Sequence, residues 1–137
     1  MRKDAREIVF KLVFEYLFTG KTESETKVDL LLSKEYEIKD EDNQYIERVF
    51  HGVVENIDVF KEAIKEKSIG FELERIYKTD LAILILALYE MKYESDVPVK
   101  VAVNEALNLS KKFGSEKSGS FINGVLASLA DDFSKAE

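Results

Sequence analysis

The sequence predicts an all-α protein, a compact bundle of six or seven helices around one buried central helix. Three observations carry this. Apolar residues recur at helical spacing almost throughout, and strict alternation is confined to residues 99–103. A single proline in 137 residues leaves long helices few breakers. The segment LAILILALYEM (81–91) is apolar on every side, as a helix surrounded by other helices must be.

Taken in order, the first helix is expected over residues 4–18, with Gly20 just past its end. At 100° per residue, Ala5, Ile8, Val9, Leu12, Val13 and Tyr16 share one face and make an ordinary core stripe. A short helix follows near 25–33. Asp40 can cap a third, running to about residue 57, with Glu41 and Asp42 in its first turn where the helix dipole favours negative charge. Asp58 opens a further helical stretch to Lys67. Thr79 and Asp80 open the central helix, and Asp96-Val97-Pro98 breaks the chain after it, since a residue before proline avoids the helical region. From Val99 the chain reads as a helix ended by Lys111, Lys112 and Gly114. The loop SEKSGS then leads to a last helix at 121–133.

Composition narrows the class. At 45% apolar, with nine Phe and six Tyr, the chain holds enough hydrophobic surface to offset the entropy of ordering. Its length is that of one ordinary domain, and with no internal repeat or composition shift a single domain over 1–137 is expected. The absence of cysteine excludes disulfides, thiolate metal sites and a cysteine nucleophile. The longest apolar run, from Leu81 to Tyr89, is far short of the roughly 20 residues that span a membrane, and no signal-peptide core opens the chain. A soluble, cytoplasmic protein is the expectation.

Little catalytic chemistry is available. His51 is the only histidine, and no G-x-S-x-G elbow offers it a serine nucleophile. With no second imidazole, no transition-metal site is expected. Gly114 and Gly119 have the spacing of a phosphate-binding loop, but Ser120 and Phe121 stand where Lys-Ser/Thr is required. Asp40, Asp42 and Gln44 imitate a calcium loop, yet Tyr45 occupies the glycine position and His51 that of the closing glutamate. Asp131-Asp132 lacks a partner acid. The expectation is no enzyme, no metal and no cofactor.

Two surfaces exceed a plain bundle. Phe10, Phe14 and Phe18 form a second ridge on the first helix among Glu7, Lys11 and Glu15, fitting either a partner or another helix of the bundle. Arg2, Lys3 and Arg6 begin that helix, where bases oppose the dipole; they suit a phosphate-bearing ligand or a solvated terminus. Near the other end, Phe113 and Phe121 bracket a loop with Lys111, Lys112 and Lys117. Rings beside flexible bases suit single-stranded RNA, while composition alone favours rings in the core and lysines on the helix dipole. The net charge of −7 is uneven: residues 1–6 carry three bases against one acid, and residues 99–121 four against two. Two basic islands sit on an acidic body.

The segment DVPVKVAVNEALNLSKKFGSEKSGSFINGVLASLA resembles the C-terminal signature of the NusB family of bacterial transcription antitermination factors. DAREIVFKLVFEYLF is similar to that family's opening helix and TDLAILILALYEM to its central one, so the resemblance covers essentially the whole chain. It implies an all-helical, non-catalytic protein without cofactor. Such a protein binds the boxA element of nascent ribosomal RNA leaders together with NusE, a small-subunit ribosomal protein, and joins the antitermination complex on RNA polymerase. The family's basic N-terminus falls on Arg2, Lys3 and Arg6, its RNA-facing aromatics on Phe113 and Phe121 with Lys117 between, and its NusE contact on Phe14 and Asp80. Two positions depart from the family pattern: Phe14 stands where tyrosine is frequent, and Ile85 where arginine is common. An acidic body repels RNA over about a Debye length, roughly 8–10 Å, and attracts a basic partner, so NusE is expected to dock around Phe14 and Asp80 and complete the RNA surface. The alternatives are a helical protein–protein adaptor or homodimer with no direct RNA role, and an RNA-binding module of the kind fused to ribosomal RNA methyltransferases. Since no cofactor domain follows, a stand-alone factor is expected.

Overall fold

The structure, a computed structural model, describes residues 2–22, 25–68 and 72–134. Among them seven α-helices follow one another without a strand: α1 (Arg2–Thr19), α2 (Glu25–Leu32), α3 (Asp40–Glu55), α4 (Ile57–Lys67), α5 (Lys78–Tyr93), α6 (Val99–Phe113) and α7 (Ser118–Leu129). A 3-10 turn, Leu73–Arg75, leads into α5. It has no counterpart in the hydrophobic pattern, because three residues are too few to show a period.

Helix α5 is the axis of the bundle. Every residue from Asp80 to Met91 is buried, and α1, α3, α4, α6 and α7 all pack against it. Burial of this kind contributes about 1.5–3 kcal/mol for each Leu or Ile, which is why so apolar a segment is central. Ile85, near the middle of the helix, is wholly enclosed. Two carboxylates nevertheless sit one turn apart at its C-terminal end, Glu90 on the helix and Glu94 just past it. The Arg6 Nε and Nη2 donate to Glu90 Oε1 and Oε2, both at 2.8 Å. One turn later Arg48 Nε and Nη2 donate to Glu94 at 3.0 and 2.7 Å. Planar two-point pairs of this kind hold α1 and α3 at fixed angles to the axis.

Helix ends follow local chemistry, with small departures from the sequence reading. Gly20 takes φ +66°, the left-handed conformation that closes α1. Asp40 is the first helical residue rather than the cap; Lys39 occupies that position, and its backbone N–H donates to Asp42 Oδ2 at 3.1 Å. Helix α7 begins at Ser118, three residues before Phe121, because the Ser118 hydroxyl accepts the Ser115 N–H at 2.9 Å and tightens the loop into a helical start. It ends at Leu129, so Asp131 and Asp132 lie in the turn beyond rather than within the helix. Gly52 marks a close approach: a Cβ there would stand 2.3 Å from Cε2 of Tyr89.

The two faces of α1 resolve unequally. Ala5, Ile8, Val9, Leu12 and Val13 are buried as expected, and Tyr16 is half-buried against Phe50. The second ridge is graded. Phe10 is buried, Phe14 half-buried and Phe18 63% exposed. Helix α6 covers the first of the three through Phe113, whose ring centroid lies 5.0 Å from that of Phe10. The far end of the ridge stays open.

Candidate partner and nucleic-acid interface

The open end of the ridge forms one wall of a depression of about 490 Å³. Phe14 and Phe18 come from α1, Tyr77 to Asp80 from the start of α5, Phe113 to Ser115 from the end of α6, and Ser118 from α7. Three helix termini therefore meet the apolar ridge. A second depression of about 310 Å³ adjoins it, lined by Arg75, Ile76, Lys117 and Phe121, and shares Tyr77, Asp80 and Ser115 with the first. The two run together as one groove, aromatic at the α1 end and mixed basic and aromatic at the α7 end.

Asp80 lies on the floor of both parts, only 5% exposed. Burial pushes its carboxyl pKa up, against a hydrogen bond from Ser118 that favours the charged form. Its Oδ1 is buried with no hydrogen-bond partner among the described residues. A docking surface of exposed negative charge around Phe14 and Asp80 is therefore not what the fold presents. Asp80 is an enclosed acceptor, Lys78 stands beside it, and the surrounding surface is aromatic.

On the other side of α6 lies a third depression, about 320 Å³, with Lys3, Lys111, Lys112 and Asn108 around Arg6, Glu7 and Glu105. Here the expectation for Arg6 needs correction. It does not face solvent: the side chain is buried, its Nε and Nη2 are taken by Glu90, and its Nη1 lies 3.2 Å from Glu105. A base so enclosed and so neutralised has no charge left for a phosphate. Arg2 is half-buried, its guanidinium 4.3 Å from the Tyr45 ring centroid and 3.9 Å from Asp96. Lys3 is exposed.

The remaining expected residues separate by environment. Phe113 is half-buried on Phe10, with the ammonium groups of Lys11 and Lys112 at 5.6 and 5.4 Å from its ring. Phe121 is half-buried and Lys117 exposed. The fold thus brings Phe14, Asp80, Phe113, Lys117 and Phe121 to one groove, puts Lys3 on a separate basic depression across α6, and withdraws Arg6 into the core. Sequence reasoning missed Tyr77, which is 70% exposed between the two parts of the groove. A tyrosine just before an apolar helix was the available signal. His51 sits exposed on α3, away from the groove, and no cluster of three metal-binding side chains occurs among the described residues. Nor is any helix among them long and apolar enough to cross a membrane.

Known proteins resemble this chain in sequence and in fold. A family model described as the NusB family matches residues 3–131. The chain is 43% identical over 129 residues to the transcription antitermination protein NusB of Agathobacter rectalis, covering 94% of this chain and 98% of that protein. It is 41% identical over 128 residues to the protein of the same name from Acetivibrio thermocellus, covering 93% and 87%. Among solved structures, NusB of T. maritima superposes with a TM-score of 0.84 at 30% identity, over 96% of this chain and 92% of that one. A chain from the crystal structure of antitermination factors NusB and NusE in complex with dsRNA shares the fold, with a TM-score of 0.81 at 22% identity over 96% of each.

Proposed function

The chain belongs to the NusB family, and on that premise we propose that it is a transcription antitermination factor which binds boxA-type single-stranded RNA together with NusE and joins the antitermination complex on RNA polymerase. It acts in the cytoplasm, as one domain, by binding and not by catalysis. The observation that carries the reading is the single groove in which an aromatic ridge, an enclosed acceptor and a lysine-bearing aromatic edge run together.

In this reading NusE takes the α1 end. Phe14 and Phe18 supply apolar area, and Asp80 Oδ1 takes a hydrogen-bond donor from the partner, which relieves a buried acceptor. With phenylalanine at position 14, that side chain contributes apolar contact and no hydroxyl. RNA takes the α7 edge, with bases stacked on Phe121 and Phe113 and phosphates on Lys117 and, across α6, on Lys111 and Lys3. Stacking on an aromatic ring contributes about 1–3 kcal/mol per base and tolerates any base. With a net charge of −7 the chain alone repels RNA, so a basic partner completes the binding surface.

Fluorescence anisotropy of a labelled boxA-type RNA tests this. The RNA is titrated with the protein, with NusE and with both, at two salt concentrations. Tighter, sequence-dependent binding by the pair is expected, and Phe121→Ala should weaken it while the circular dichroism spectrum is preserved. No gain from the pair, with sedimentation showing a self-associated protein indifferent to RNA, would leave an adaptor or homodimer instead.

A further inference from the structure

Glu7 is a charged residue turned inward. It lies on α1, 3% exposed, and its Oε1 accepts a hydrogen bond from Lys112 Nζ at 2.7 Å. Tyr36, from the segment between α2 and α3, is buried nearby, and burial together with the Glu7 charge pushes its hydroxyl pKa up. The carboxylate is thus enclosed by protein and cannot follow its partner outward. Lys112 can: its side chain is half exposed, on a flexible four-carbon stem. Its ammonium also stands 5.4 Å from the ring of Phe113, so a backbone phosphate of a nucleotide whose base stacks on that ring comes within its reach.

We propose that Glu7 sets the affinity for RNA without touching it, by competing with RNA phosphate for the Lys112 ammonium. The inference rests on the RNA-binding reading above. Lys112 cannot serve both anions fully. Moving it to a phosphate gives up a half-exposed ion pair with Glu7, and this modest cost is subtracted from RNA binding. No such cost falls on Lys3, Lys111 or Lys117. A carboxylate beneath the surface thereby holds one of the basic positions in reserve, and keeps attraction to arbitrary RNA low until a partner adds contacts.

The test is the salt dependence of boxA-type RNA binding by the protein with NusE, for wild type, Glu7→Gln, Lys112→Gln and the double variant. Glu7→Gln keeps the shape and removes the competing charge. It should bind RNA about two- to five-fold more tightly, the worth of one half-exposed ion pair. Its plot of log affinity against log salt should steepen by about 0.7, the value of one added phosphate contact to a single strand. Both changes should vanish in the double variant. An unchanged slope, weaker binding, or a gain that survives in the double variant overturns the proposal. If Glu7→Gln does not fold, the ¹⁵N signal of the wild-type Lys112 ammonium decides: it should shift as RNA binds, and a signal unmoved by bound RNA overturns the inference. A wild-type pair that binds no RNA at all is a different failure, since it removes the function on which the inference rests.

Discussion

Replacing Arg6 with Ala sets two roles for one residue against each other, a base for RNA and a clamp for the core. The guanidinium makes two hydrogen bonds of 2.8 Å to Glu90 and lies 3.2 Å from Glu105, and Glu90 is 1% exposed. Burial by itself would lower the pKa of Arg6, yet its hydrogen bond to Glu90 and the Glu90 charge hold it above its ordinary value. The Ala variant leaves Glu90 charged, buried and without its counter-ion, a defect that costs about 3–5 kcal/mol. With an unfolding entropy of about 2.1 cal/mol/K per residue, that loss corresponds to a fall in Tm of roughly 10–17 °C for a chain of this size. Thermal unfolding followed by circular dichroism and by calorimetry measures it. Arg6→Lys keeps the charge but not the two-point geometry, and should fall between. Replacing Arg6 and Glu90 together with leucine should recover much of the loss, since apolar residues often substitute for a buried pair at little cost. An Ala variant that melts with wild type while RNA affinity collapses would refute the clamp and restore Arg6 to the RNA surface.

Three further outcomes are expected. Gly52→Ala puts a Cβ 2.3 Å from the Tyr89 ring and should destabilise by about 1–3 kcal/mol, read as a lower denaturation midpoint with an unchanged slope. Burial raises the Asp80 carboxyl pKa, so the folded state keeps this proton to higher pH than the unfolded chain, and Asp80 costs stability as pH rises through that window. The melting temperature of Asp80→Asn relative to wild type should accordingly climb from about pH 4 toward neutrality; parallel curves would show that Asp80 is not strained by burial. Lys117→Ala, at an exposed position, should leave the melting temperature unchanged and flatten the RNA salt dependence by about 0.7.

The helices were legible because helix formation is decided within a few turns of chain. The apolar period of α1, the all-round apolar α5, the break at Asp96-Val97-Pro98 and the lysines and glycine closing α6 are all local signals, and each element stands within a few residues of its expected place. Errors fell where a side chain overrides the pattern. The Ser118 hydroxyl starts α7 early, and Asp42 shifts the cap of α3 to Lys39. The ridge of Phe10, Phe14 and Phe18 was visible as a stripe, but not that Phe113 covers one end and leaves the other open.

What the sequence determined by itself is the all-α class, the central helix, the basic islands and the residue types available for stacking and for phosphate. The family also follows from it, through motifs such as KKFG and FINGVL. What only the tertiary structure decided is which charges are spent. Arg6 and Lys3 look alike along the chain, yet Arg6 meets a glutamate 84 positions away and Lys3 meets solvent. Glu7 and Lys112 are 105 positions apart, yet the Lys112 ammonium donates to the Glu7 carboxylate at 2.7 Å. Asp80 is a helix-opening acid in the sequence and an enclosed acceptor in the fold. The reason is physical. Periodicity and capping depend on neighbours within a turn, whereas the free energy of a charge depends on what lies within a few ångströms in space, and packing alone brings distant segments that close.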